Sequence, residues 1–154
     1  MNPKERLIDA IRAELRSRFD RLTRAARDAH AAATDPGSKA EGKYDTRSLE
    51  ASYLAAGQAR QVDELAGDIA VFESLTLREF SAEDEIEAGA LVEVDLDGDS
   101  SWFLLAPAAG GLEVEWEGRE VTLLTPSSAL YQRLLGMRMG DSGEDPELFV
   151  SEVL

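Results

Sequence analysis

Cysteine is absent from the 154 residues. Its absence excludes thiol catalysis, Cys-ligated zinc and iron–sulfur clusters, and it suits a reducing cytosol. Long apolar runs are also missing: none approaches the roughly 18 to 20 residues a membrane helix requires. The opening Met1-Asn2-Pro3-Lys4-Glu5-Arg6 alternates charge and leads into an amphipathic pattern, which is not how a signal peptide reads. The expected setting is therefore the cytoplasm, with no membrane partner. Histidine occurs once, as His30, far in sequence from Ser127 and Ser128. A Ser–His nucleophile is accordingly not expected, and His30 reads as a surface residue. Aromatic residues make up only 6% of the chain. Trp102, Phe103, Trp116 and Tyr131 read as core more readily than as the lining of a binding pocket.

Positive charge is scarce in one half of the chain. Residues 1–45 carry 10 basic and 8 acidic side chains, residues 46–80 carry 3 and 6, and residues 81–154 carry 3 and 17. Nearly all of the net charge of −15 thus lies in the last half. Such a half repels phosphate backbones, so autonomous nucleic-acid binding is not expected, and a basic protein surface is the more natural partner. The plainer alternative is an acidic surface that serves solubility alone.

What is present falls into two patterns. Leu7, Ile8, Ile11, Leu15, Phe19, Leu22 and Ala26 recur at spacings of three and four and predict one helix over about 4–33. About 30 residues at 1.5 Å each make a rod of roughly 45 Å. Thr34-Asp35-Pro36-Gly37 breaks it, and a second helix is expected from Asp45 or Thr46, either of which can cap it. Its stripe is Leu49, Tyr53, Ala56, Val62, Leu65, Ile69 and Phe72, weakened by Gly57 and Gln58. Two such helices joined by about a dozen polar residues are expected to pack as an antiparallel hairpin, a coiled-coil finger.

From about residue 85 the period changes from 3.6 to 2. Ala90–Leu96 and Trp102–Leu105 flank Asp97-Gly98, and Leu112–Trp116 and Val121–Leu124 flank Glu117-Gly118, which predicts two hairpins. A short helix is expected from Ser128 to Leu135, stopped by Gly136, and a last strand over Glu147–Leu154. The expected fold class is α+β: a helical finger over 1–75, then a small antiparallel sheet module with one helix over 76–154.

Three acidic patterns invite chemistry. Asp95, Asp97 and Asp99 alternate like a calcium loop, yet its sixth position is Ser100 and its twelfth is Ala106, so a hairpin turn is expected. Glu83, Asp84, Glu85 and Glu87 form a run that is usually solvated. Asp35, Glu41 and Asp45 stand at the expected finger tip. They read either as polar turn residues or as carboxylates for a divalent cation whose site a partner completes.

Together, a helical hairpin and a small acidic sheet module resemble the Gre (GreA/GreB-like) transcript-cleavage factors of bacterial RNA polymerase. The sharpest match is the family segment Ser-Pro-Leu-x-x-x-Leu-Leu-Gly-x-x-x-Gly-Asp. Here it reads Ser128-Ala129-Leu130-Tyr131-Gln132-Arg133-Leu134-Leu135-Gly136-Met137-Arg138-Met139-Gly140-Asp141, and only the proline differs. The order of strands before it resembles that family's FK506-binding-protein-like domain. The family tip resembles Gly-Asp-x-x-Glu-Asn-x-Glu-Tyr, whose first Asp and Glu hold magnesium in the polymerase. Aligned on Gly37 it places Ser38 and Glu41 there; aligned on Tyr44 it places Gly37 and Ala40. Neither register keeps the pair, and Glu41-Gly42-Lys43-Tyr44-Asp45-Thr46 looks more like a divergent subgroup.

The resemblance implies a transcription elongation factor that acts as a monomer on RNA polymerase. Its sheet module would dock, and its finger would enter the secondary channel. Glu41, with Asp45 or Asp35, would help to hold a magnesium ion shared with the polymerase and so stimulate transcript cleavage. The protein would be no enzyme by itself and would have no cofactor of its own. Two alternatives stand beside this: a channel competitor without cleavage, and an adaptor or folding helper that uses the sheet module away from polymerase.

Overall fold

The computed structural model describes residues 2–34 and 46–154. Helix α1 spans Pro3–Thr34 and helix α2 spans Thr46–Ser74. Asn2 starts α1: its side-chain oxygen accepts the Lys4 N–H at 2.9 Å, and Pro3 takes the first helical position, where no N–H is needed. The last described residue of α1, Thr34, directly precedes Asp35-Pro36-Gly37. The chain divides into two compact units, Arg12–Ala70 and a second made of Met1–Ile11 with Val71–Leu154. In the first, Leu15 and Leu65 are buried, Val62 and Ile69 are half-buried, and Glu14 pairs with Arg18 at 3.0 Å on the exposed side.

The second unit is built on a six-stranded sheet. Its strands are β1 (Leu91–Leu96), β2 (Asp99–Leu105), β3 (Glu113–Trp116), β4 (Arg119–Leu124), β5 (Ser142–Gly143) and β6 (Leu148–Val153). Helix α3, Ala129–Leu134, lies between β4 and β5 in sequence. The order across the sheet is β3-β4-β2-β1-β6-β5. Both expected hairpin turns form with positive φ at both central residues, Asp97 at 50° and Gly98 at 90°, Glu117 at 49° and Gly118 at 75°. That is the turn whose twist matches the flanking strands, and it makes the Asp95-x-Asp97-x-Asp99 pattern a hairpin end.

One expectation is corrected. The sheet is mixed and not antiparallel, because β2 and β4 run parallel, with Trp102 opposite Val121 and Leu105 opposite Leu124. The reason lies in the two strands of the second hairpin. Strand β4 carries Val121, Leu123 and Leu124, all buried, and takes an inner place. Strand β3 alternates exposed Glu113 and Glu115 with buried Val114 and Trp116, and takes the edge. Carboxylates along a strand suit it to an edge, where they deter pairing with a further strand. The connection after β2 therefore passes outward first and brings β4 back beside β2. It is held there by the N–H of Ala106 on the Leu124 carbonyl at 2.7 Å and that of Gly111 on the Leu123 carbonyl at 2.8 Å.

Strand alternation sorts the side chains onto two faces. On one lie Val92, Val94, Phe103, Leu105, Leu124, Leu148 and Val150, packed with Tyr131 and Leu134 of α3 and with Phe80 and Ile86. On the other lie Leu91, Trp102, Leu104, Val121 and Leu123, also buried, with Trp102 and Trp116 at 5.6 Å between ring centroids. The first turns of α1 reach this second face. The indole N–H of Trp116 donates to the Pro3 carbonyl at 2.9 Å, and Arg6 lies 3.6 Å from Glu117.

Lys4 completes the joint and is only 2% exposed. Its ammonium donates to the carbonyls of Arg78 and Leu154, both at 2.7 Å, and sits 4.7 Å from the centre of the Phe80 ring. Burial, followed by the nearby Arg78 charge, lowers its pKa from 10.5 to about 8. The folded state therefore binds the proton less tightly than the unfolded chain. The cost of holding the charge is fully present below pH 8 and is relieved as pH rises from about 8 to 10.5. Denaturation followed across that window should show the wild type gaining stability relative to Lys4→Met, by up to about 3 kcal/mol. A constant difference between the two proteins would contradict this account of Lys4.

Candidate functional site

The tip carboxylates that the sequence offers for a metal, Asp35, Glu41 and Asp45, lie outside the described residues. Among the described residues no group of three or more His, Asp or Glu side chains is placed to hold a metal ion. Among them, too, no helix is long and apolar enough to cross a membrane. The surface features that can act on a partner lie in the sheet unit, and three of them have defined geometry.

The first is the segment 125–141 around α3. Ser128 caps the helix: its hydroxyl accepts the Tyr131 N–H at 3.4 Å, and Gln132 donates its side-chain amide to the Pro126 carbonyl at 2.8 Å. The Thr125 and Ser127 hydroxyls are 3.0 Å apart, and no base of the described residues is bonded to either serine. Leu134 is fully buried and Leu130 is packed against the same core, while Leu135 is 39% exposed. Gly136 ends the helix at a φ of 82°, a conformation that favours glycine. Its N–H donates to the Ile86 carbonyl at 2.9 Å, and the Met137 carbonyl accepts from Ile86 at 2.7 Å. Gly140 also has positive φ, at 91°, and the Asp141 carboxylate accepts the Arg138 N–H at 2.9 Å. Ser128, Leu130, Leu134, Gly136, Gly140 and Asp141 thus each meet a backbone or packing demand.

The second is the acidic run over 83–87, which is largely exposed, as expected, and carries surface ion pairs. The Ser81 N–H donates to the Asp84 carboxylate at 2.8 Å, and this bond, with Arg78 nearby, lowers the Asp84 pKa below its usual value. Arg78 lies 3.6 Å from Asp84 and 3.5 Å from Glu87, and Arg138 lies 3.0 Å from Glu85. The Arg78 guanidinium also stacks on Phe80, with 3.6 Å from its central carbon to the ring centre. The run itself is visible in the sequence, whereas its pairing with Arg78 and Arg138, and the buried Lys4, are not. The signal available for Lys4 was its position, three and four residues before Leu7 and Ile8 on the apolar stripe of α1.

The third is the hairpin β3–β4. Glu113, Glu115 and Glu120 share one face of it, with Glu115 directly opposite Glu120. Glu113 raises the pKa of Glu120 by repulsion and by sharing a hydrogen bond with it. The hollow beside them is lined also by Val114, Gly118 and Arg119. On the other face, Arg119 lies 5.1 Å from the Trp102 ring centre. Trp102, Phe103, Trp116 and Tyr131 are all buried, so none lines an open aromatic pocket.

Compared with known proteins, the chain matches no family model and no curated protein. Among solved structures, GreA factor homolog 1 (Gfh1) of Thermus thermophilus aligns with 93% of this chain and 94% of its own, at 19% identity and a TM-score of 0.36. A likeness of that degree assigns neither the fold nor the function of this chain.

Proposed function

We propose that this protein is a Gre-like elongation factor that binds bacterial RNA polymerase through its sheet unit. In this reading the unit is the FK506-binding-protein-like module of that family, and the two long helices form the antiparallel finger that enters the secondary channel. The observation that carries the reading is the segment Ser128–Asp141. It matches the family segment at every fixed position except Ala129, and its residues do the structural work those types are suited to: a helix cap at Ser128, a core anchor at Leu134, positive φ at Gly136 and Gly140, a carboxylate cap at Asp141. The charge of the module supports the same reading, since 17 acidic against 3 basic residues over 81–154 favour a basic protein surface.

At the tip, two versions of the reading differ. Glu41 with Asp45 or Asp35 would bring carboxylates to a magnesium ion that the polymerase also holds, and the ion would make a water more nucleophilic. The tip sequence favours the second version, a competitor that occupies the channel without cleavage, because neither register against the family tip keeps its Asp and Glu together. The adaptor reading is the least supported, because the aromatics it needs for a proline pocket are buried.

Stalled elongation complexes separate these versions. If the tip is catalytic, wild type shortens the transcript, and Glu41→Ala or Asp45→Ala lowers that rate by roughly 100-fold while polymerase binding persists. If the competitor version holds, wild type releases no short RNA yet slows nucleotide addition, and the two variants do the same. Binding itself should weaken about tenfold between about 50 and 300 mM salt, because it is driven by opposite charge. No binding of polymerase at any salt concentration refutes the proposal.

A further inference from the structure

The sheet face opposite α3 changes character across its width. Over β2 and β4 it is buried and apolar. Over β1 and β6 it carries Glu93, Asp95 and Glu152 around Phe149, and Phe149 is 43% exposed. The register fixes these neighbours: Phe149 stands opposite Asp95 on β1 and opposite Ser142 on β5, and Glu152 stands opposite Glu93. Directly opposite residues hold their Cβ atoms about 5 Å apart, so Asp95 and Phe149 are side-by-side neighbours on this face. Strands β1, β2, β5 and β6 contain no lysine or arginine. Among the described residues, none of these three carboxylates has an ion pair; Glu93 only accepts the Ser100 hydroxyl at 3.0 Å.

The same set of groups occurs elsewhere in this chain with its cation in place. At Phe80 a guanidinium stacks on the ring at 3.6 Å while two carboxylates, Asp84 and Glu87, stand 3.6 and 3.5 Å from its nitrogens. Ring and carboxylates there hold an arginine from both sides. At Phe149 the ring and the carboxylates are present without the arginine.

We infer that the face around Phe149, Asp95 and Glu152 is a docking surface for an arginine side chain of a protein partner. The guanidinium lies on the Phe149 ring and gives its paired N–H groups to Asp95. Arginine fits better than lysine, because its flat, weakly hydrated group stacks on a ring and bonds a carboxylate through two N–H groups at once. A phosphate backbone is excluded by the three carboxylates. The inference rests on the proposed polymerase binding and places an arginine of that partner on the sheet face remote from α3.

The test titrates full-length wild type, Phe149→Ala, Phe149→Leu and Asp95→Asn against core RNA polymerase, with thermal denaturation confirming that each is folded. Each substitution is expected to weaken binding about fivefold to tenfold. Phe149→Leu should lose as much as Phe149→Ala, since it keeps apolar area but not the π face. The Phe149→Ala, Asp95→Asn double variant should lose less than the product of the single losses, because both substitutions remove contacts of one arginine. Wild-type affinity in all the variants overturns the inference and leaves the polymerase proposal standing. Full affinity in Phe149→Leu alone shows a plain apolar contact and overturns the arginine. Self-association of wild type that Phe149→Ala abolishes makes a second copy the occupant and overturns it too. No binding by wild type overturns both readings together.

Discussion

The Lys4 ammonium is the constraint around which the sheet unit is organised. It bonds carbonyls that are 74 and 150 residues away in sequence, so three distant stretches meet at one nitrogen: the start of α1, the segment after α2 and the end of β6. A buried charge is expensive and is tolerated where hydrogen bonds and a ring face replace lost water. Here two carbonyls and Phe80 do that, and Arg78 on the same ring contributes one of the carbonyls. The apolar residues of α1 nearest to it, Leu7, Ile8 and Ile11, are buried with it. The stretch 3–11 therefore belongs with the sheet although it is continuous with the rest of a 32-residue helix.

From that joint the two sheet faces acquire different tasks. One is filled by α3 and the residues around it. The other is covered in part by the first turns of α1 over the tryptophans, and toward β6 it leaves Phe149 and Glu152 exposed and Glu93 and Asp95 of β1 half-buried. The unit's acidity is thus not spread evenly. Around 78–87 carboxylates are paired with Arg78 and Arg138, whereas on β1, β3 and β6 they stand outward without such partners among the described residues.

Local features of the fold were legible in the sequence. The spacing of Leu7 to Ala26 and the Asp35-Pro36-Gly37 break give α1 to within a residue or so of its ends, and the Asp-Gly and Glu-Gly pairs give both hairpins. Ser128 and Gly136 give α3. What was not legible is non-local. Period-2 alternation shows that β3 and β4 pair but not that β4 inserts beside β2, since that depends on which strand tolerates solvent at an edge. The ion pairing of Asp84, Glu85 and Glu87 was hidden for a related reason: their arginine partners include Arg138, 53 residues away from Glu85. Of the candidate site, the sequence supplies the residue types at Asp35, Glu41 and Asp45, and their convergence depends on chain geometry that spacing does not encode.

The edge strand β3 has a consequence for how copies of this protein meet. In a hairpin with a two-residue turn, Trp116 pairs with Arg119 through the main chain and Val114 with Val121, so the open main-chain groups of the edge belong to Glu113 and Glu115. Any second strand that adds there must lie beside two carboxylates, and an identical strand would set carboxylate against carboxylate. Near neutral pH the edge therefore refuses its own kind, and the sheet stops at six strands. Glu120 of β4, whose pKa Glu113 raises by repulsion, adds a third carboxylate beside the two on the edge.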